Sequence, residues 1–172
     1  MIRKSRKSAL ENYQVNAGGE YVYTGAYISW EKGGAARKKT LRKLWAMSVV
    51  MTAGAIGSGC IPAPGLQNSF YVLLPLMVEI VLAISCLWGL GQLTAGGEKL
   101  KEYVYRDSVE KLPGRYTAAV VFAAATALLE LLHLLLHGEF SLLMLLFWGM
   151  EILSAGSAML AKKEISRLKW KK

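Results

Sequence analysis

Five side chains that can carry a proton or ligate an ion lie in stretches otherwise suited to oil. Glu79 stands alone among apolar neighbours in "LLPLMVEIVLAIS", residues 73–85. Glu151 is set the same way in "LLFWGMEILSAGS", residues 145–157. Glu130, His133 and His137 share "LLELLHLLLH", residues 128–137. On a helix those three fall within an arc of about 60° on one face. A charged carboxylate at a bilayer centre costs about 3 kcal/mol on insertion scales, so such groups face a bundle interior or water.

Three chemistries suit this set. As protonated groups, Glu79, Glu151 and Glu130 can hydrogen-bond across helices, with Ser48, Thr52 and Thr126 as partners. As an ion site, they can take up and release a proton or cation during transport. As ligands, Glu130, His133 and His137 form ExxH and HxxxH patterns that Glu79 and Glu151 could complete into a carboxylate–imidazole cage. Two-metal bundles use two ExxH motifs and this chain has one, so the metal reading ranks last. Both histidines share one segment, so a bis-His haem would need a second copy, and no cofactor is expected. Cys60 and Cys86 are separated by about 24 Å of helical depth, too far for a disulfide.

The elements that position these groups are apolar runs. Of the 172 residues, 53% are hydrophobic, and the mean hydropathy is +0.31, too apolar for an ordinary soluble domain of this size. Four runs, 44–61, 70–93, 117–137 and 141–161, are long enough to cross roughly 30 Å of hydrocarbon. The expected fold is an all-α membrane protein, with four spans as two tandem helical hairpins. The divisions are a cytoplasmic arm (1–43), a first hairpin (44–93), a cytoplasmic loop (94–116), a second hairpin (117–161) and a basic tail (162–172).

The net charge of +9 would suit nucleic acid, but its distribution points to a membrane. Of the 21 lysines and arginines, ten fall in 1–43, five in 94–116 and six in 162–172. With four spans all three segments face one side, which places both termini in the cytoplasm. Arg37, Lys38, Lys39, Arg42 and Lys43 flank the first span and suit the anionic lipids of the inner leaflet. No nucleic-acid partner is expected. The basic start "MIRKSRKS" precedes polar residues, so the first span is its own insertion signal. The design suits a bacterial cytoplasmic membrane.

An internal repeat is also readable. Displacing the chain by 72 residues aligns 69–87 with 141–159, with seven identities in nineteen positions, Glu79/Glu151 and Ser69/Ser141 among them. "EYVY" recurs at 20–23 and 102–105, ahead of each hairpin. Within the arm, Tyr21 and Tyr23 followed by "TG" and "AYISW" predict a β-hairpin. Residues 99–112 predict an amphipathic helix stopped by Pro113 and Gly114. Trp170 suits the headgroup region.

No G-x-S-x-G, P-loop or H-E-x-x-H appears, so no enzyme is expected. The favoured reading is a non-catalytic accessory or assembly subunit of a larger membrane transport complex. Its partner is another membrane protein or a second copy, met through Tyr21, Tyr23, Tyr27 and Trp30. The alternative is a small proton- or cation-coupled transporter that uses Glu79 and Glu151. A membrane-embedded metal-binding protein ranks third.

Overall fold

The computed structural model describes residues 13–15, 19–30, 34–97 and 99–171. Two short strands, β1 (Tyr13–Val15) and β2 (Tyr21–Tyr23), precede β3 (Tyr27–Trp30) and the long helix α1 (Gly34–Gly59). A five-residue helix, α2 (Pro64–Asn68), leads into α3 (Phe70–Ala95). Strand β4 (Lys99–Lys101) runs into a single helical turn, α4 (Glu102–Val104), and a wider turn over 105–109. Helices α5 (Leu112–His137) and α6 (Leu142–Ser166) follow, and β5 (Trp170–Lys171) comes last.

The four long helices form an up-down-up-down bundle. Around it the order is α1, α3, α5, α6, so α1 faces α5 and α3 faces α6 across the diagonals. The α1–α6 contact is the most extensive. Gly54 explains it: a Cβ there would lie 3.0 Å from the Met150 carbonyl oxygen and 3.1 Å from the Ser154 nitrogen. Only a residue without a side chain lets the two backbones come so close. On the α1–α5 diagonal, the Ser48 and Tyr116 hydroxyls bond to each other at 2.7 Å, both fully buried. Leu44, Met51, Leu90, Leu93 and Leu112 fill the core around them.

Helix ends follow local chemistry. Ser141 caps α6, its hydroxyl accepting from the Leu143 amide at 3.3 Å. Gly138 ends α5 in the left-handed region at φ 69°, its N–H donating to Leu134 O at 2.8 Å. Pro113 lies in the first turn of α5. That corrects the expectation that Pro113 and Gly114 stop a helix over 99–112. Proline lacks an N–H that a first turn does not use, so here it starts a helix.

Three helical stretches, Phe70–Ala95, Glu102–His137 and Leu142–Ser166, are long and apolar enough to cross a membrane among the described residues. The sequence reading expected four, and α1 is not among them. Its early turns carry Arg37, Lys38, Lys39, Arg42 and Lys43, and it stops at Gly59, short of the apolar Cys60 and Ile61. Its remaining apolar part is diluted by glycine, serine and threonine.

The strands gather at one end of the bundle. The expected hairpin between β2 and β3 does not form. Strand β2 pairs with β1, with Tyr13 opposite Tyr23. Strand β3 is the centre of a separate antiparallel sheet, ordered β4-β3-β5. Trp170 therefore packs against Trp30, with centroids 5.5 Å apart, and edge-on against Tyr105, instead of standing alone. The two "EYVY" copies also differ: the first is strand, the second a helical turn. They meet through Tyr23 and Tyr103, at 5.8 Å between centroids. The Lys101 ammonium bonds the Tyr13 hydroxyl at 2.9 Å. That bond holds Lys101 above the ordinary lysine range and Tyr13 below the ordinary tyrosine range.

The register is testable with cysteines, after Cys60 and Cys86 are replaced by alanine. Ser29 and Lys99 are opposite partners in β3 and β4. Ser29→Cys with Lys99→Cys is expected to form a disulfide on mild oxidation, because opposed strand Cα atoms lie about 5 Å apart. A β2–β3 hairpin in place of this sheet would leave the two thiols free in a thiol-alkylation assay.

Candidate functional site

Two polar clusters lie inside the bundle. The first is on the α3–α6 diagonal. Glu79 is fully buried, and its Oε1 accepts from the Ser154 hydroxyl at 2.5 Å. Glu151, one helical turn before Ser154, sits against Glu79 and Ser58. Glu79 Oε2 and both Glu151 carboxyl oxygens are buried, and the two carboxyl groups face each other. Two carboxyl groups in contact cannot both ionise in a low-dielectric core, so the pair holds at least one proton or an equivalent positive charge.

The second cluster ties α2 to α5. Ala63 is the N-cap of α2, and its methyl group caps nothing. Pro64 has no N–H to offer. The next amide, Gly65 N, donates to Glu130 Oε1 at 3.1 Å. Glu130 thus caps a helix that belongs to another part of the chain, doing what a serine or aspartate usually does locally. Close approach requires glycine here, because a Cβ at Gly65 would run into the Glu130 carboxyl and lie 3.0 Å from His133 Cβ. His133 Nδ1 shares hydrogen bonds with Ser69 Oγ at 2.8 Å and the Tyr71 hydroxyl at 2.9 Å. The His137 ring stacks on His133 at 4.3 Å, and its Nδ1–H donates to the His133 carbonyl at 3.2 Å.

Glu79 and Glu151 are thus brought together, while Glu130 is not with them. The five-residue cage of carboxylates and imidazoles does not assemble. Among the described residues, no three His, Cys, Asp or Glu side chains converge where they could hold a metal ion. Glu130 and His133 instead bond to Gly65 and Ser69 in the segment between α1 and α3. Ser154, Ser58, Gly65, Ser69 and Tyr71 were not expected as partners of the buried carboxyls and histidines. Only Ser154 had a signal, its i+3 spacing from Glu151.

The strand-end residues also separate. Tyr21 is 75% and Tyr27 44% exposed, whereas Tyr23 is buried and Trp30 packs on Trp170. Lys38, Lys39, Arg42 and Lys43 are exposed on α1. Arg37 instead reaches the Leu93 carbonyl at 3.2 Å, in the last turn of α3. Helix ends leave carbonyls open, and a guanidinium suits them.

Fold and site define a helical bundle with three helices able to cross a membrane and a carboxyl pair inside. No family model matches the chain, and no curated protein or solved structure matches it.

The cap on α2 gives a paired prediction. Gly65→Ala is expected to destabilise the bundle by about 1–3 kcal/mol, because the methyl group displaces Glu130. Gly149→Ala, in α6 with open space at its Cβ, is expected to be neutral or stabilising by about 0.5 kcal/mol. Thermal unfolding in detergent compares the two, and equal melting temperatures would remove the capping role.

Proposed function

We propose that the chain is a non-catalytic integral membrane protein, an accessory or assembly subunit that docks a larger membrane transport complex through its strand end. In this reading α1, α3, α5 and α6 all span the membrane. The strands and both termini face the cytoplasm. The span α1 is tolerated because its polar and small residues lie against α3 and α6, and its basic first turns stay in the headgroup layer. The lipid-facing role is supported by apolar side chains turned outward on the helices, among them Val81, Ile84, Val121, Leu128, Leu135 and Ile152. A water-soluble bundle would not display so continuous an apolar surface.

One observation carries the docking role. In the strand layer, outside the apolar helices, Val15, Tyr21 and Val22 are 60%, 75% and 45% exposed. They sit on a two-stranded ribbon whose outer edges have no strand neighbour among the described residues. Such edges accept an added strand from a partner, with tyrosine and valine supplying apolar contact. Lys38, Lys39, Arg42 and Lys43 nearby favour an acidic cytoplasmic segment, and they also suit anionic lipid. An internal repeat belongs to this reading, because Ser69 and Ser141 stand at the N-cap positions of long helices that each carry a buried carboxyl ten residues on.

Native mass spectrometry of protein gently extracted from its host membrane tests the reading. A stoichiometric second polypeptide is expected. Tyr21→Ser with Val22→Thr is expected to release it while leaving the melting temperature of the bundle unchanged. A single species in the wild-type spectrum, with the ribbon intact, counts against a subunit.

A further inference from the structure

We propose that Tyr13 is a modification site, a nucleophilic phenol that accepts a phosphoryl group, and that Lys101 activates it and then pairs with the product. The inference concerns the joint between the β1–β2 ribbon and the β4-β3-β5 sheet, and it needs no docked partner.

The phenol is placed by both halves of the chain. Tyr13 opens β1, and its ring meets Tyr23 edge-on at 5.3 Å. Its hydroxyl reaches two groups from the segment after α3. The Lys101 ammonium, in β4, lies 2.9 Å away and can only donate. The Tyr103 hydroxyl, in α4, lies 3.3 Å away. The same ammonium lies over the Tyr13 and Tyr23 rings, at 5.1 and 5.3 Å, which holds it at the joint. A neutral Tyr13 accepts from Lys101 and gives its own proton to Tyr103. An ionised Tyr13 accepts from both. Both bonds are then charge-assisted, so the site favours the phenolate.

The other tyrosines are placed differently. Of the eight in the chain, Tyr116 is buried against Ser48, and Tyr71 is tied to His133. Tyr23 is buried and donates to the Ala26 carbonyl at 3.4 Å. Tyr21 is 75% exposed, whereas Tyr13 is only partly so. Exposure and activation therefore point to different residues.

The charge around Tyr13 selects the incoming group. Lys99 and Lys101 share one face of β4, and the register sets Ser29 and then Lys171 beside Lys99. The opposite face carries Ile28 and Leu100, both buried. Three ammonium groups thus lie on the outward face, where they attract an anionic electrophile. In the transfer the Tyr13 oxygen bonds to the γ-phosphorus of a nucleoside triphosphate. The bond from that phosphorus to the bridging oxygen breaks, and the nucleoside diphosphate leaves with the electron pair. The phenolic proton goes to water. A separate phosphotransferase brings the donor, whose supply rests on the cytoplasmic placing of the strands proposed above. The product carries about two negative charges beside Lys101. An ion pair then replaces the hydrogen bond and fastens the ribbon to the sheet.

Two measurements test this. In the first, the full chain in detergent is treated with diisopropyl fluorophosphate at mildly alkaline pH, and the labelled peptides are mapped by mass spectrometry. Tyr13 is expected to react about tenfold faster than Tyr21, and to lose that advantage in Lys101→Met. Tyr103→Phe is expected to slow it about threefold, and it decides the matter if Lys101→Met does not fold. Labelling that follows exposure, with Tyr21 first, or an unchanged Tyr13 rate in the folded variants, would overturn the activation. In the second, chain extracted from host membranes with phosphatase inhibitors present is mapped for phosphate. Phosphate on Tyr13 and none on Tyr21 is expected. A chain without phosphate on Tyr13 would sink the acceptor role and leave the docking role standing, since native mass spectrometry decides that one separately.

Discussion

A carboxyl group in a low-dielectric interior must find a donor or give up its charge, and this bundle is arranged around where two of them, Glu79 and Glu130, find theirs. Glu79 takes its donor, Ser154, from the helix diagonally opposite. That contact fixes the height of α3 against α6, the two helices that do not touch along their length. Ser48 and Tyr116 fix the other diagonal in the same way. Glu130 reaches outward to Gly65 and secures the connection between α1 and α3. Gly54 then lets α1 settle against α6 at backbone distance. A bundle of leucine alone would have no preferred register, since apolar contacts between helices slide at little cost.

The same logic shows why some of this was readable from the chain and some was not. Helix positions follow from runs of apolar residues, a property of neighbours in sequence, so α3, α5 and α6 were legible. Their ends at Ser141 and Gly138 moved by one residue or none, while α5 begins and α6 ends five residues beyond the expected bounds. The burial of Glu79, Glu130 and Glu151 was legible for the same reason. Their partners were not. Gly65 lies sixty-five residues from Glu130, and nothing local marks its amide as open except the Ala63–Pro64 pair before it. Grouping Glu130 with the central pair assumed that buried carboxyls seek one another, when a helix end served one of them better.

The strands show the same limit more sharply. Tyr21, Tyr23 and the "TG" turn make a hairpin the obvious local solution. Strand β3 instead binds β4 and β5, residues some seventy and one hundred and forty positions away. Such short strands are decided by tertiary surroundings, here by Trp170 and Tyr105 gathered near Trp30 and by Lys101 laid over Tyr13. The first helix was misjudged by its ends, where two apolar residues past Gly59 were counted as span.

The β4-β3-β5 sheet has a consequence for biogenesis. Strand β3 is made before any of the long helices, and its neighbours come after the second and after the fourth of them. During synthesis one edge of β3 therefore waits for β4, and the other stays open until α6 and then Trp170 have been made. In the four-span topology proposed above, the sheet acts as a clasp that can shut only on a chain whose four long helices alternate in direction. A chain that stalls before β5 keeps an unpaired strand on display, the kind of exposed edge that invites aggregation.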